Sequence, residues 1–105
     1  MTRVGFVMQL NPGNEAIYRQ KHDEIWPEMV ETIRRHGIRN YTIFRRGLTL
    51  FACYECDDPA QTERQRDDPV VQRWWQMMAP CMDYNPDGTP WSEPIEEVFH
   101  LDYGY

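Results

Sequence analysis

Residues 38–56 read IRNYTIFRRGLTLFACYEC, two runs rich in β-branched and aromatic residues joined across Arg45-Arg46-Gly47. Such runs, separated by a short glycine-containing connection, predict a β-hairpin with strands over residues 38–45 and 48–56. Along the second strand, large side chains fall on both sides: Leu50 and Tyr54 on one, Phe51 and Cys53 on the other. A sheet built around that strand has two faces to cover.

The pattern extends outward from the hairpin. Upstream, Phe6, Met8 and Leu10 share a face of a first strand over residues 4–10, which Asn11-Pro12-Gly13 ends. A long amphipathic helix over residues 14–36 follows, stopped by Gly37. Downstream, Asp58-Pro59 and Asp68-Pro69 each pair an N-cap with proline in the first helical position, and Gln61 is placed to complete a capping box. The second signal opens a helix to about residue 82, with Pro80 as a point for a kink. Residues 85–90 read as a loop and 95–101 as a last strand. The order β-α-β-β-α-β predicts an α+β fold, a ferredoxin-like sandwich with two helices over one face of a four-stranded sheet. The other face is expected to be hidden by a second copy, in a homodimer with sheet against sheet.

At 105 residues the chain is expected to form one domain, residues 1–105. Eleven basic against 17 acidic residues give a net charge of −6, which argues against a nucleic-acid partner and favours a neutral ligand. No apolar stretch approaches the roughly 18 residues of a membrane span, and residues 1–9 do not read as a signal peptide, so no membrane association and a cytoplasmic location are expected. Cys53, Cys56 and Cys81 cannot all pair within one chain. Cys53 and Cys56, three apart on a strand, point to opposite faces, which predicts structural thiols in a reducing compartment rather than a redox or metal pair. The three histidines show no metal-ligand spacing, and no phosphate-binding glycine loop is present, so neither metal nor cofactor is expected.

On a helix over residues 14–36, Tyr18, His22, Ile25, Trp26, Met29 and Ile33 fall within one arc of about 100°. Tyr18 and His22 are one turn apart and stack as neighbours on the inward face. A buried histidine is ordinarily a core residue satisfied by a backbone carbonyl. Here, however, Pro27 cannot donate to the carbonyl of Asp23, so the helix should kink about one turn beyond His22. The face is polar and aromatic before that point and aliphatic after it, the pattern of a lined pocket where helix and sheet part. Trp74 and Trp75 straddle the stripe of Val71, Met78 and Met82, so one can pack inward while the other walls a cavity. A flat indole suits the C–H face of a sugar ring. Tyr41, expected to share a strand face with Arg39 and Ile43, can donate to a ligand oxygen. His36 is expected on the terminal carbonyls of its helix.

The segments His22-Asp23-Glu24-Ile25-Trp26-Pro27-Glu28 and Val70-Val71-Gln72-Arg73-Trp74-Trp75 resemble those of the L-rhamnose mutarotase family. The resemblance runs nearly end to end, through residues 6–12, Arg39-Asn40-Tyr41 and Glu96-Glu97-Val98-Phe99. It implies a dimeric α+β barrel that interconverts the α and β anomers of L-rhamnose without a cofactor. It also implies His22 as proton donor and Tyr18, Tyr41, Trp74 and Trp75 as sugar-binding residues. The connection Arg45-Arg46-Gly47 is shorter and more basic than the family's turn. Ring opening needs a proton delivered to the ring oxygen and one removed from the anomeric hydroxyl. The base stays open among a carboxylate, a tyrosine and an ordered water. The same architecture also suits a cofactor-independent oxygenase or a non-catalytic sugar-binding dimer.

Overall fold

The predicted hairpin forms, as β2 (Arg39–Arg46) against β3 (Thr49–Cys56), but its turn sits one step later than expected, at Gly47-Leu48. Gly47 takes φ +59° there, a conformation glycine adopts without strain. The computed structural model describes residues 1–101; the last four residues of the expected domain lie outside the described residues. β1 (Thr2–Gln9) runs antiparallel to β3 from Thr2 opposite Cys56 to Gln9 opposite Thr49. β4 (Glu93–Ile95) pairs with the other side of β1, giving the order β2-β3-β1-β4 of an antiparallel α+β sandwich.

The last strand departs from expectation. It covers three residues, Glu93–Ile95, whereas residues 96–101 carry no regular structure and expose Val98, Phe99 and Leu101. Pro94 has no N–H and is tolerated because β4 is an edge. Apolar alternation marks a chain fit for a strand but does not supply the neighbouring ladder. Beyond the Gly5–Ile95 pair, Arg3 instead binds the carboxylates of Glu97 and Glu55, both at 2.7 Å.

The expected long helix is two helices, α1 (Glu15–Asp23) and α2 (Pro27–Arg35), so a break replaces the kink. Proline disfavours the helical conformation in the residue before it, and Trp26 is extended, with ψ 135°. Pro27 then starts α2, where its missing N–H costs nothing. α3 (Pro59–Glu63) and α4 (Pro69–Met78) begin at the predicted caps: Asp58 accepts from the N–H of Ala60 and Asp68 from that of Val70, each at 3.0 Å. Gln61 lies against Gly37 rather than closing a capping box. α4 stops at Met78, before Pro80, and Ala79–Cys81 tighten into a 3₁₀ turn.

The helices cover the face of the sheet that carries Met8, Leu50 and Ala52, with Leu10, Val71, Met78 and Met82 completing the core. His36 does not hold its own helix's carbonyls as expected. Its Nε2 meets Asp68 Oδ2 at 3.0 Å, and Arg35 donates to the same oxygen at 2.7 Å. The cap of α4 is thereby tied to the end of α2, and its charge-assisted bonds hold the Asp68 carboxyl below the usual aspartate range. On the opposite face, Phe44, Phe51 and Ile95 meet solvent. Cys56 is fully buried while Cys53 lies on the other side of the strand, as period-two alternation requires.

Candidate active site

A cleft of about 1240 Å³ opens where α1 and α4 stand over the sheet, with an adjoining smaller recess of about 70 Å³. All five residues singled out from the sequence line both spaces: Tyr18 and His22 from α1, Tyr41 from β2, Trp74 and Trp75 from α4. The imidazole of His22 lies 4.4 Å from the Tyr18 ring and meets the edge of Trp74 at 5.4 Å. Trp74 is buried and braced in turn by Trp26, 5.2 Å away and nearly perpendicular. Trp75, half-buried, walls the cleft beside it.

Tyr41 arrives by a route that period-two reasoning does not anticipate. Arg39 pairs with Glu55 and Thr42 with Cys53, so Asn40 and Tyr41 together span the place opposite Tyr54. This is a β-bulge. Asn40 carries φ +51°, a left-handed conformation that asparagine tolerates better than most residues. The extra residue turns Tyr41 onto the helix-covered face with Ile43, stacked at 5.6 Å on Tyr54, and sends Arg39 to the other face, where it binds Asp57 at 3.0 Å. The expectation that Arg39 and Tyr41 share a face therefore fails.

The hydrogen bonding fixes the state of the histidine. His22 Nδ1 lies 3.0 Å from the carbonyl oxygen of Tyr18. A carbonyl only accepts, so Nδ1 carries the hydrogen and the lone pair of the neutral ring sits on Nε2. Burial pushes the His22 pKa below its usual 6.5, against the opposing effects of the Tyr18 carbonyl and Asp23. Burial also raises the Tyr18 and Tyr41 phenols well above their ordinary range, so both remain protonated donors. The Tyr41 side chain, 38% exposed, lines the concavity and still meets solvent. Among the described residues, Nε2 of His22 and the hydroxyls of Tyr18 and Tyr41 bond to no protein group, yet no buried side-chain polar atom is left without a partner. Nε2 of His22 and the Tyr18 hydroxyl are therefore open to the cleft, which the Tyr41 side chain also lines.

A profile of L-rhamnose mutarotases matches residues 3–101. The L-rhamnose mutarotase of Listeria monocytogenes is 43% identical over 103 residues, covering 96% of this chain and 99% of that protein. The crystal structure of L-rhamnose mutarotase from Formosa agariphila superposes with a TM-score of 0.87 at 35% identity, over 97% of this chain and 100% of that one. The chain belongs to the L-rhamnose mutarotase family. Tetracenomycin F2 cyclase of Streptomyces glaucescens, 21% identical with a TM-score of 0.62 over 97% of this chain and 98% of that one, shares the fold alone.

In this mutarotase-family chain two further residues shape the cleft. The Tyr84 hydroxyl donates to the carbonyl of Trp75, and Lys21 Nζ donates to that of Met77 at 2.8 Å. Both satisfy carbonyls in the last turn of α4 that have no partner within the helix. Lys21 thereby fastens α1, one residue before His22, to the helix that carries the two tryptophans. Nothing in the sequence near Tyr84 marks it, because a loop tyrosine meets a helix end only through tertiary structure. Among the described residues no three histidine, cysteine, aspartate or glutamate side chains converge as a metal site.

Proposed function

We propose that this chain interconverts the α and β anomers of L-rhamnose, with His22 moving the proton and Tyr18, Tyr41, Trp74 and Trp75 holding the sugar. The observation that carries the reading is the uncommitted Nε2 of His22, aimed into a cleft beside two uncommitted phenols and two indoles. Anomer exchange opens the pyranose, turns the aldehyde and closes the ring again. His22 delivers the proton to the ring oxygen as the bond from the anomeric carbon breaks. Tyr18 and Tyr41, as neutral donors, bond to sugar oxygens, and an indole packs on the ring's C–H face. One acid–base group typically accelerates such a step about 10²–10⁴-fold. Relatives 35–43% identical that carry the mutarotase name support this reading over an oxygenase or a non-catalytic sugar-binding protein.

The working unit in this proposal is a homodimer of single-domain chains, residues 1–105, in the cytoplasm. The exposed Phe44, Phe51 and Ile95 on the uncovered sheet face, with Val98 and Phe99 beyond β4, support the pairing. The free thiols support a reducing compartment. Saturation-transfer NMR on L-rhamnose tests the activity: His22→Gln should slow exchange at least about 100-fold with the fold retained. Undiminished exchange in that variant would remove the assignment. Light scattering should give twice the 12.7 kDa of one chain, reduced towards one chain by Phe51→Asp.

A further inference from the structure

The origin of the proton that reaches the ring oxygen is the open question of the proposed reaction, and it rests on that reading. Among the described residues the smaller recess is lined by four ionisable side chains: His22, Tyr18, Tyr41 and Tyr84. The three phenols are held protonated by burial, and Tyr84 is committed to the Trp75 carbonyl. Among the described residues no carboxylate reaches the recess. The carboxylates on the wider cleft are, among the described residues, Glu15, Asp23 and Glu63, accompanied by Arg19, Arg45 and Arg66. Glu15 is taken by the N–H of Gly13 at 3.0 Å, and Asp23 is 69% exposed beside Arg19. Of the groups that α4, β1 and β3 set nearby, Trp74, Trp75, Met8 and Leu50 do not ionise, and the Tyr54 phenol, raised by burial, is committed to Thr62. Among the described residues one atom in the recess is therefore built to accept a proton, Nε2 of His22, whose lone pair is fixed there by the bond from Nδ1 to the Tyr18 carbonyl.

We propose that Nε2 of His22 is both the base and the acid of ring opening, taking the proton of the anomeric hydroxyl and returning it to the ring oxygen. The two oxygens are attached to the same carbon, so one nitrogen reaches both with little movement. The O–H pair of the anomeric hydroxyl becomes the second bond of the aldehyde. The bond from the anomeric carbon to the ring oxygen breaks with its electrons on that oxygen, and the proton held on Nε2 passes to it. The imidazole ends neutral, as it began. Ring closure on the other face of the aldehyde is the reverse sequence. Tyr18 lends its carbonyl to Nδ1, which stabilises the transient imidazolium, and its hydroxyl remains available to the sugar.

The test is the pH dependence of anomer exchange on L-rhamnose, read by saturation-transfer NMR between about pH 4.5 and 8, alongside an NMR titration of the His22 ring. The active form is the neutral ring, so the rate above background should rise with pH through the His22 ionisation, below its usual 6.5, and then stay flat. Asp23→Asn and Glu63→Gln should keep the plateau within about two-fold, because neither carboxylate enters the recess. A rate that falls as His22 loses its proton would overturn the shuttle and leave a conventional proton donor. A loss of about ten-fold or more on the plateau in either carboxylate variant would transfer the base role to that residue. Full activity in His22→Gln would instead defeat the underlying reading, so the two failures are distinct.

Discussion

Two tyrosines on the buried side of this sheet should respond to loss of the hydroxyl in opposite ways. Tyr54 donates to Thr62 Oγ1 at 3.3 Å, and Thr62 passes its own hydrogen to the Pro59 carbonyl at 2.8 Å. This chain ties β3 to α3, away from the cleft's indoles. Tyr18 is as deeply buried, but among the described residues its hydroxyl has no protein partner, and it lines the recess. Tyr54→Phe removes one buried neutral hydrogen bond, worth about 1 kcal/mol net, and Thr62 keeps its other bond. In a domain of this size that is a fall in Tm of about 4–8 °C, with anomer exchange unchanged. Tyr18→Phe removes a hydroxyl that, among the described residues, bonds to no protein group, so Tm should stay level or rise slightly. Its ring still packs on His22, and its carbonyl still accepts from Nδ1. Loss of one bond to the sugar, about 1 kcal/mol, should lower exchange by about five- to ten-fold. Thermal melts and saturation-transfer NMR on the two variants give four readings. A Tm loss of several degrees in Tyr18→Phe, or an undiminished rate, would refute the claim that its hydroxyl is reserved for ligand.

Three other outcomes are expected. Asp68→Ala removes a helix cap together with the acceptor of Arg35 and His36, and urea titration should show a loss of about 1–2 kcal/mol, whereas Asp68→Asn, which retains a capping oxygen, should lose less. Asn40→Ala loses the bond from Asn40 to Glu55 and also forces alanine into the left-handed bulge, at a cost of about 1 kcal/mol or more, while Asn40→Gly loses only the bond and should cost less and keep the placement of Tyr41. Because the folded chain depresses the His22 pKa, the unfolded chain binds more protons between that pKa and 6.5; the associated stability is present above 6.5 and is lost as pH falls through the folded value. Melts from pH 8 to 5 should fall accordingly, with a shallower fall in His22→Gln. Asp68, Asp57 and Glu55, also depressed, add losses of the same sign at lower pH, each as the medium passes through its own folded value.

Most of the site was legible because two of its elements obey strict local periods. The 3.6-residue period put Tyr18 beneath His22 and Trp74 on the same stripe as Val71 and Met78, and Pro27 marked where the first helix leaves off. The caps at Asp58 and Asp68 were readable for the same reason, since an aspartate before proline satisfies exposed N–H groups whatever lies beyond. Tyr41 was placed among the site residues by type and resemblance, but not by period: the bulge at Asn40 inserts a residue, and alternation read across it assigns Arg39 to the wrong face.

What the chain's own order of residues determined was therefore the inventory of elements, the inward set of aromatic groups and the histidine among them, because those follow from interactions within a few residues. Tertiary structure alone decided how they meet. It ended the last ladder at Ile95, where pairing with β1 stops. It moved His36 onto Asp68 and put Tyr84 and Lys21 on the carbonyl end of α4. Above all it left Nε2 of His22 without a protein partner among the described residues, since whether a polar atom is satisfied depends on every segment that folds back towards it.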